Sequence, residues 1–196
     1  MKAFYLILPA FLLISVSCFG QEDIQNRFAA AIKEDLLDIE GRQKADVKSQ
    51  FIVAVECGRN SMELSWARYY NHLHDSIARL KVESIIHTYG YPGPNVIGAQ
   101  ANRVMYNVIY NMPLAMSKKY VAILWQALKN GNTTPEDYAA LADKVSMKES
   151  NGQIYGTITK MKDGVLHTPP ILNPGGVDSL RRLIGLPPLQ GNPQVK

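Results

Sequence analysis

Apolar residues recur at intervals of three and four along this chain as far as Asn151-Gly152, where the period changes. That spacing lays one apolar face along an α-helix, so most of the chain is constrained to pack helix against helix. Ile24, Phe28, Ile32, Leu36 and Ile39 form the first such face, with Lys33, Glu34 and Asp38 on the opposite side. Val47, Phe51 and Val55 continue the spacing beyond Gly41, either as a second helix or as one helix kinked at the glycine. Cys57-Gly58-Arg59-Asn60 breaks it. Asn60 with Glu63 three residues on is a capping signature, after which Trp66, Tyr70, Leu73, Ile77 and Leu80 share one face.

The sharpest punctuation is Gly90-Tyr91-Pro92-Gly93-Pro94, where two prolines and two glycines in five residues end any helix. From Gly98 the pattern resumes with Val104, Val108 and Met112, until Pro113 ends or kinks it. Tyr120, Leu124 and Leu128 mark the next helix, closed by Asn130-Gly131. Thr134-Pro135 then supplies an N-cap and a first-turn proline, followed by Glu136 and Asp137 where the helix dipole favours acids, with Tyr138, Leu141 and Val145 inward. Beyond Gly152, Ile154 to Thr159 is rich in β-branched and aromatic residues, and Lys162-Asp163-Gly164 offers a turn before Val165-Leu166-His167, which predicts a hairpin. Val177 to Ile184 reads as a short helix with Gly185 at its end, and Pro187 to Lys196 as a frayed tail. The fold class expected is mainly α: a single helical domain of about six helices, residues 21–196, with a small C-terminal β-hairpin.

The N-terminus carries an address. Lys2, the apolar run Ala3 to Ser17 and the exit Cys18-Phe19-Gly20 before Gln21-Glu22-Asp23 follow the pattern of a secretory signal peptide over residues 1–20. The run is too short for the ~20 apolar residues a membrane-spanning helix needs, and Pro9 interrupts it, so no transmembrane segment is expected in the mature chain. The expected localisation is periplasmic or secreted. The alternative is a lipoprotein acylated at Cys18, for which Ser17 fits the usual pattern and Ser15 does not.

Composition narrows the partners. The formal charge of +4 falls by one when Lys2 leaves with the leader. Lys and Arg are scattered, the longest runs being Lys118-Lys119 and Arg181-Arg182, which does not suit nucleic acid. Without Cys18 only Cys57 is left, so no intramolecular disulfide forms, and the apolar Phe51 to Val55 before it predict a buried thiol.

The stretch from Trp66 to Leu189 resembles an uncharacterised bacterial family, domain of unknown function 6624. The resemblance is carried by Tyr89-Gly90-Tyr91-Pro92-Gly93 with Val96-Ile97-Gly98, by Lys119-Tyr120 and Ala127 to Asn132, by Leu141 with Asp143, by Gln153 to Thr157, and by Val177-Asp178 leading to Arg181-Arg182 and Gly185-Leu186. These motifs occur in the right order over roughly two thirds of the mature chain. Members of the family typically have Gln-His where this chain has Tyr110-Asn111, Gln where it has Ile158, and Asp-Arg where it has Asp143-Lys144; an Asp-Gln pair of the first helical region has no clear counterpart near Arg42-Gln43. The resemblance implies no established reaction, and the missing His removes the natural proton carrier near neutral pH.

Candidate chemistry is sparse. His72 and His74 stand roughly 200° apart on a helix and cannot chelate one ion, so no metal site is expected. Nucleophile motifs and phosphate-binding glycine loops are absent, and no cofactor is implied. Asn132-Thr133-Thr134 matches a glycosylation acceptor, but Thr134 is better explained as a cap. The best polar constellation is Asp143, Gln153, Tyr155, Thr157, Arg181 and Arg182, whose guanidinium, phenol and amide groups suit a small anionic ligand. The competing reading pairs Asp143 with Arg181 or Arg182 to pin the C-terminal hairpin onto the helices. Three functions follow: a non-catalytic binding or interaction module using the groove between helical body and hairpin, with a small anionic ligand or a protein as partner; a hydrolase-like enzyme with its site near Asp143, Gln153 and Arg181; or an envelope-structural protein.

The leader yields a direct expectation: protein recovered from an exporting host has an intact mass beginning at Gln21, whereas a diacylglyceryl adduct on Cys18 would identify the lipoprotein form.

Overall fold

The helical spacing is realised as α1 (Cys18–Glu56), α2 (Met62–Tyr89), α3 (Pro94–Ile97), α4 (Ala99–Asn111), α5 (Leu114–Lys129), α6 (Pro135–Glu149) and α7 (Val177–Leu183), with a hairpin of β1 (Lys160–Lys162) and β2 (Val165–His167) before α7. This computed structural model describes residues 18–162 and 164–189. Most of the leader, the turn residue Asp163 and the end of the tail lie outside the described residues. The architecture is mainly α with a small antiparallel hairpin near the C-terminus, as the periodicity predicts.

Gly41 does not divide the first helix. A mid-helix glycine costs about 1 kcal/mol against alanine, but two ion pairs one turn apart straddle it, Arg42 to Asp38 at 2.9 Å and Lys44 to Glu40 at 2.8 Å. Cross-links from other helices also hold α1: Lys81 to Asp35 at 2.6 Å, Gln100 to Glu40 at 2.6 Å, and His74 to Asp46 at 2.8 Å. The cap of α2 is Ser61 rather than Asn60, its hydroxyl accepting from the Leu64 N–H at 3.1 Å.

The glycine and proline connector is clamped rather than loose. Gly90 ends α2 at φ +72°, a conformation side chains disfavour. The Asn132 amide then donates to the Tyr91 carbonyl at 2.9 Å, and the buried Asn102 amide donates to the Pro92 carbonyl at 2.9 Å and the Asn132 carbonyl at 3.2 Å. Two sequence-distant asparagines thus fix where α3 and α4 leave the connector. Pro113 ends α4 and serves as the N-cap of α5, and Thr134 caps α6, accepting from Asp137 N–H at 3.1 Å.

The main core gathers Leu36 and Ile39 of α1, Val82 and Ile85 of α2, Met105 and Ile109 of α4, Tyr120 and Leu124 of α5 and Leu141 of α6. A second, smaller cluster of Ala139, Ala142, Tyr155, Ile184 and Leu186 seats α7 and its flanking loop on α6. The core draws on the middle of α1 and the second half of α2 only. Beyond them the two helices touch each other and nothing else among the described residues covers their outer faces, so Phe51, Val55, Trp66 and Leu80 are exposed where the spacing alone would place them inside. Cys57 is exposed for the same reason, which corrects the expectation of a buried thiol. Phe28 is likewise half exposed, against the Tyr89 ring at 6.1 Å.

One strand also moves. The extended residues Ile154 to Thr159 form no ladder; the first strand starts at Lys160, pairing Lys160 with His167 and Lys162 with Val165. Side chains have taken the main-chain groups that a ladder would use.

Core and projection differ in what a truncation removes. Leu124→Ala is expected to lower unfolding free energy by about 2–5 kcal/mol, and Phe51→Ala by less than about 0.5 kcal/mol, as measured by denaturant unfolding followed by circular dichroism.

Candidate functional site

The Ile154–Ile158 loop is built on one carboxylate. Asp143, fully buried on α6, accepts at Oδ1 from the N–H groups of Ile154 at 2.7 Å and Tyr155 at 2.8 Å. Its Oδ2 accepts from the Thr157 N–H at 2.7 Å and the Thr157 hydroxyl at 2.8 Å. Four donors fill the lone-pair positions a carboxylate offers. Gln153, also fully buried, closes the loop from inside: Oε1 accepts from Ile158 N–H at 2.6 Å, and Nε2 donates to the carbonyls of Ile158 and Pro169, each at 3.1 Å. Its main chain pairs with the next segment, donating to Pro170 and accepting from Leu172, both at 2.8 Å. Gly156 sits at φ +72° with Leu189 and Ile171 against the space of a Cβ, so only glycine fits that bend.

Arg181 holds the same loop from α7. Its Nη1 donates to the Tyr155 carbonyl and its Nε to the Pro187 carbonyl, both at 2.7 Å. Asp143 and Arg181 therefore do not pair with each other; one takes the loop's N–H groups and the other a carbonyl. This replaces the ion pair anticipated between them by a clasp on the main chain. Tyr155 is buried with its ring 5.9 Å from Tyr138, and burial first, then the Tyr138 hydroxyl, pushes its phenol above the ordinary tyrosine range. The structure thus brings Asp143, Gln153, Tyr155, Thr157 and Arg181 together around one loop, while Arg182 faces solvent.

The loop forms one wall of a cleft. Ile154 and Leu172 stand opposite Val121 and Trp125 of α5, with Ala142 and Val145 of α6 as the floor, around a volume of about 560 Å³. Tyr138 stacks obliquely on Trp125 at 5.3 Å, and Lys129 lies over the Trp125 ring at 5.6 Å. At the rim Lys118 and Glu149 form an ion pair at 2.6 Å. The cleft is apolar within and charged at its edge, the usual build of a site that binds by shape and orients by a few polar groups. Motifs did not reveal it, because its lining comes from ordinary helix positions; the only signal was that α5 and α6 each carry more apolar residues than one buried stripe requires.

A model of the family of unknown function DUF6624 matches residues 70–194. The chain belongs to DUF6624. No curated protein and no solved structure matches it. The match covers the connector, the clasp and the cleft, and leaves out α1 and the first turns of α2. Gln43 of α1, outside the family match, and Asn111 of α4, inside it, line one small depression with Asp75, Arg79 and Val108. Gln43 donates to Asp75 there at 3.4 Å. Lys144 donates to the carbonyls of Tyr110 and Met112, the latter at 3.0 Å, so a cation closes the C-terminus of α4. Burial and the nearby Lys148 push its ammonium below the usual lysine range. Histidine takes a structural part: among the described residues no three His, Cys, Asp or Glu side chains gather, and His74 is bonded to Asp46.

Asp143→Ala strands several inward-facing N–H groups at once, so it is expected to destabilise the protein by more than about 3 kcal/mol. Arg182→Ala should change stability by less than about 0.5 kcal/mol; chemical denaturation of the two variants side by side checks both.

Proposed function

We propose that this DUF6624 protein is an exported, non-catalytic binding module whose recognition surface is the cleft between α5, α6 and the clasped loop. The observation that carries the reading is the division of labour at that loop: Asp143, Gln153 and Arg181 are committed to main-chain groups, while Val121, Trp125, Ala142 and Ile154 face an open apolar space. A hydrolase-like site at Asp143 needs a lone pair free to take a proton, and four donors already occupy that carboxylate. The cleft instead suits an aromatic or aliphatic group, from a small ligand or from a side chain of a protein partner. An acidic substituent on that group meets Lys118 at the rim, which otherwise pairs with Glu149.

Export is part of the proposal. Lys2 and the apolar run to Ser17 support a cleaved leader and a periplasmic or secreted product, with acylation at Cys18 as the alternative route. Among the described residues no helix is long and apolar enough to cross a membrane.

The test is a thermal-shift screen with aromatic and aliphatic carboxylic acids against the protein and against Ala122→Trp, which fills the cleft from an exposed position on α5. Stabilisation of the unaltered protein that Ala122→Trp abolishes is the expected result. Stabilisation of both alike, or turnover of any compound in a panel of hydrolase substrates, would contradict the proposal.

A further inference from the structure

Met62, Trp66, Tyr69, Leu73, Ile77 and Leu80 form one continuous stripe on α2, and all six are between 43% and 71% exposed. They lie opposite the side of the helix that carries the buried Leu64 and Ala78 and the half-buried Ala67 and Asn71, with Ile77 at the edge nearest α1. At about 150–250 Å² per aromatic side chain, the stripe presents on the order of 700 Å² of largely apolar surface, close to the ~800 Å² per partner of a stable dimer. A patch of that size on a water-facing helix marks an interaction surface.

We infer that this stripe is the interface for a second copy of the chain, with two α2 helices antiparallel about a two-fold axis near the level of Asn71. The spacing is nearly palindromic about that level: Met62 of one copy comes opposite Leu80 of the other, Trp66 opposite Ile77, and Tyr69 opposite Leu73. Each aromatic in the first half of the stripe then meets an aliphatic in the second half. A parallel pairing would instead set indole on indole and leave the volumes unmatched. Beside Ile77, between α2 and α1, lies a depression of about 260 Å³ lined also by Ile39, Arg42, Ala78 and Lys81. The antiparallel register brings Trp66 of the other copy to its mouth, an aromatic anchor over a pocket of the kind that dominates interface energetics.

Charge agrees with the same register. Glu63 and Lys81 are separated by about five turns and so share one flank of the stripe. Antiparallel pairing places Glu63 of one copy opposite Lys81 of the other at both ends of the interface, beside the Asp35 with which Lys81 pairs in its own chain at 2.6 Å. From Met62 to Lys81 the acids Glu63 and Asp75 stand among the bases Arg68, Arg79 and Lys81, a mixed pattern unlike the polar face rich in Lys and Arg that attaches a helix to an anionic lipid surface.

Sedimentation velocity across a concentration series, combined with cysteine cross-linking in a Cys18→Ser, Cys57→Ser background, tests the inference. The protein should sediment as a dimer, and Leu73→Glu should raise the dimer dissociation constant at least tenfold with unchanged helical circular dichroism. Should Leu73→Glu fail to fold, the cross-linking decides alone. Met62→Cys mixed with Leu80→Cys should form a heterotypic disulfide, and neither variant alone should form a disulfide with its own copy. Monomeric behaviour up to 100-fold above typical micromolar affinities, self-cross-linking of Met62→Cys, or a dimer indifferent to Leu73→Glu would overturn it. So would a monomer that binds vesicles of phosphatidylglycerol and phosphatidylethanolamine through the same stripe.

Discussion

A single buried carboxylate organises the C-terminal third of this protein. Asp143 sits on α6, a regular helix already anchored in the main core through Leu141, and from that fixed point it receives three main-chain N–H groups and a hydroxyl of a segment with no regular structure of its own. A buried N–H without a partner costs about 1–3 kcal/mol, so the loop has one conformation in which its donors are satisfied. Everything downstream inherits that choice. Gln153 then ties the loop to Pro169 and Ile158, and Arg181 ties it to α7. The aromatic and aliphatic residues of the second cluster fill the space this leaves.

The clasp also explains why the cleft is open. Ile154 and Leu172 are held as a wall by hydrogen bonds on their far side, so they need not collapse onto α5 to find their own packing. A concave apolar surface of this kind persists only where polar groups behind it supply the rigidity. The α2 stripe is its opposite: convex, regular and backed only by α1. The two proposed surfaces therefore differ in shape, one concave and the other convex.

Some side-chain groupings in this fold are invisible along the sequence. Gln43 and Asn111 are far apart in order and adjacent in the fold, at the base of the α1 and α2 pair where α4 packs beneath them. Lys144 likewise reaches across from α6 to place a cation on the last carbonyls of α4.

The helices, the cap at Thr134, the break at Pro113, the connector at Gly90 to Pro94 and the mainly α class were legible in the sequence, because periodicity, proline and glycine act through local backbone sterics. Membership of the family was legible too, through the order of short motifs. What the sequence could not determine is which apolar stripe is covered. Trp66 and Leu124 carry the same periodic signal, yet one faces solvent and the other is fully buried, since burial depends on how many helices arrive at a face rather than on the face itself. The same holds for the polar residues: Asp143, Gln153 and Arg181 were recognisable as a group, but whether they face a ligand or a main-chain loop was decided by tertiary contacts, which alone place an N–H within reach of a carboxylate.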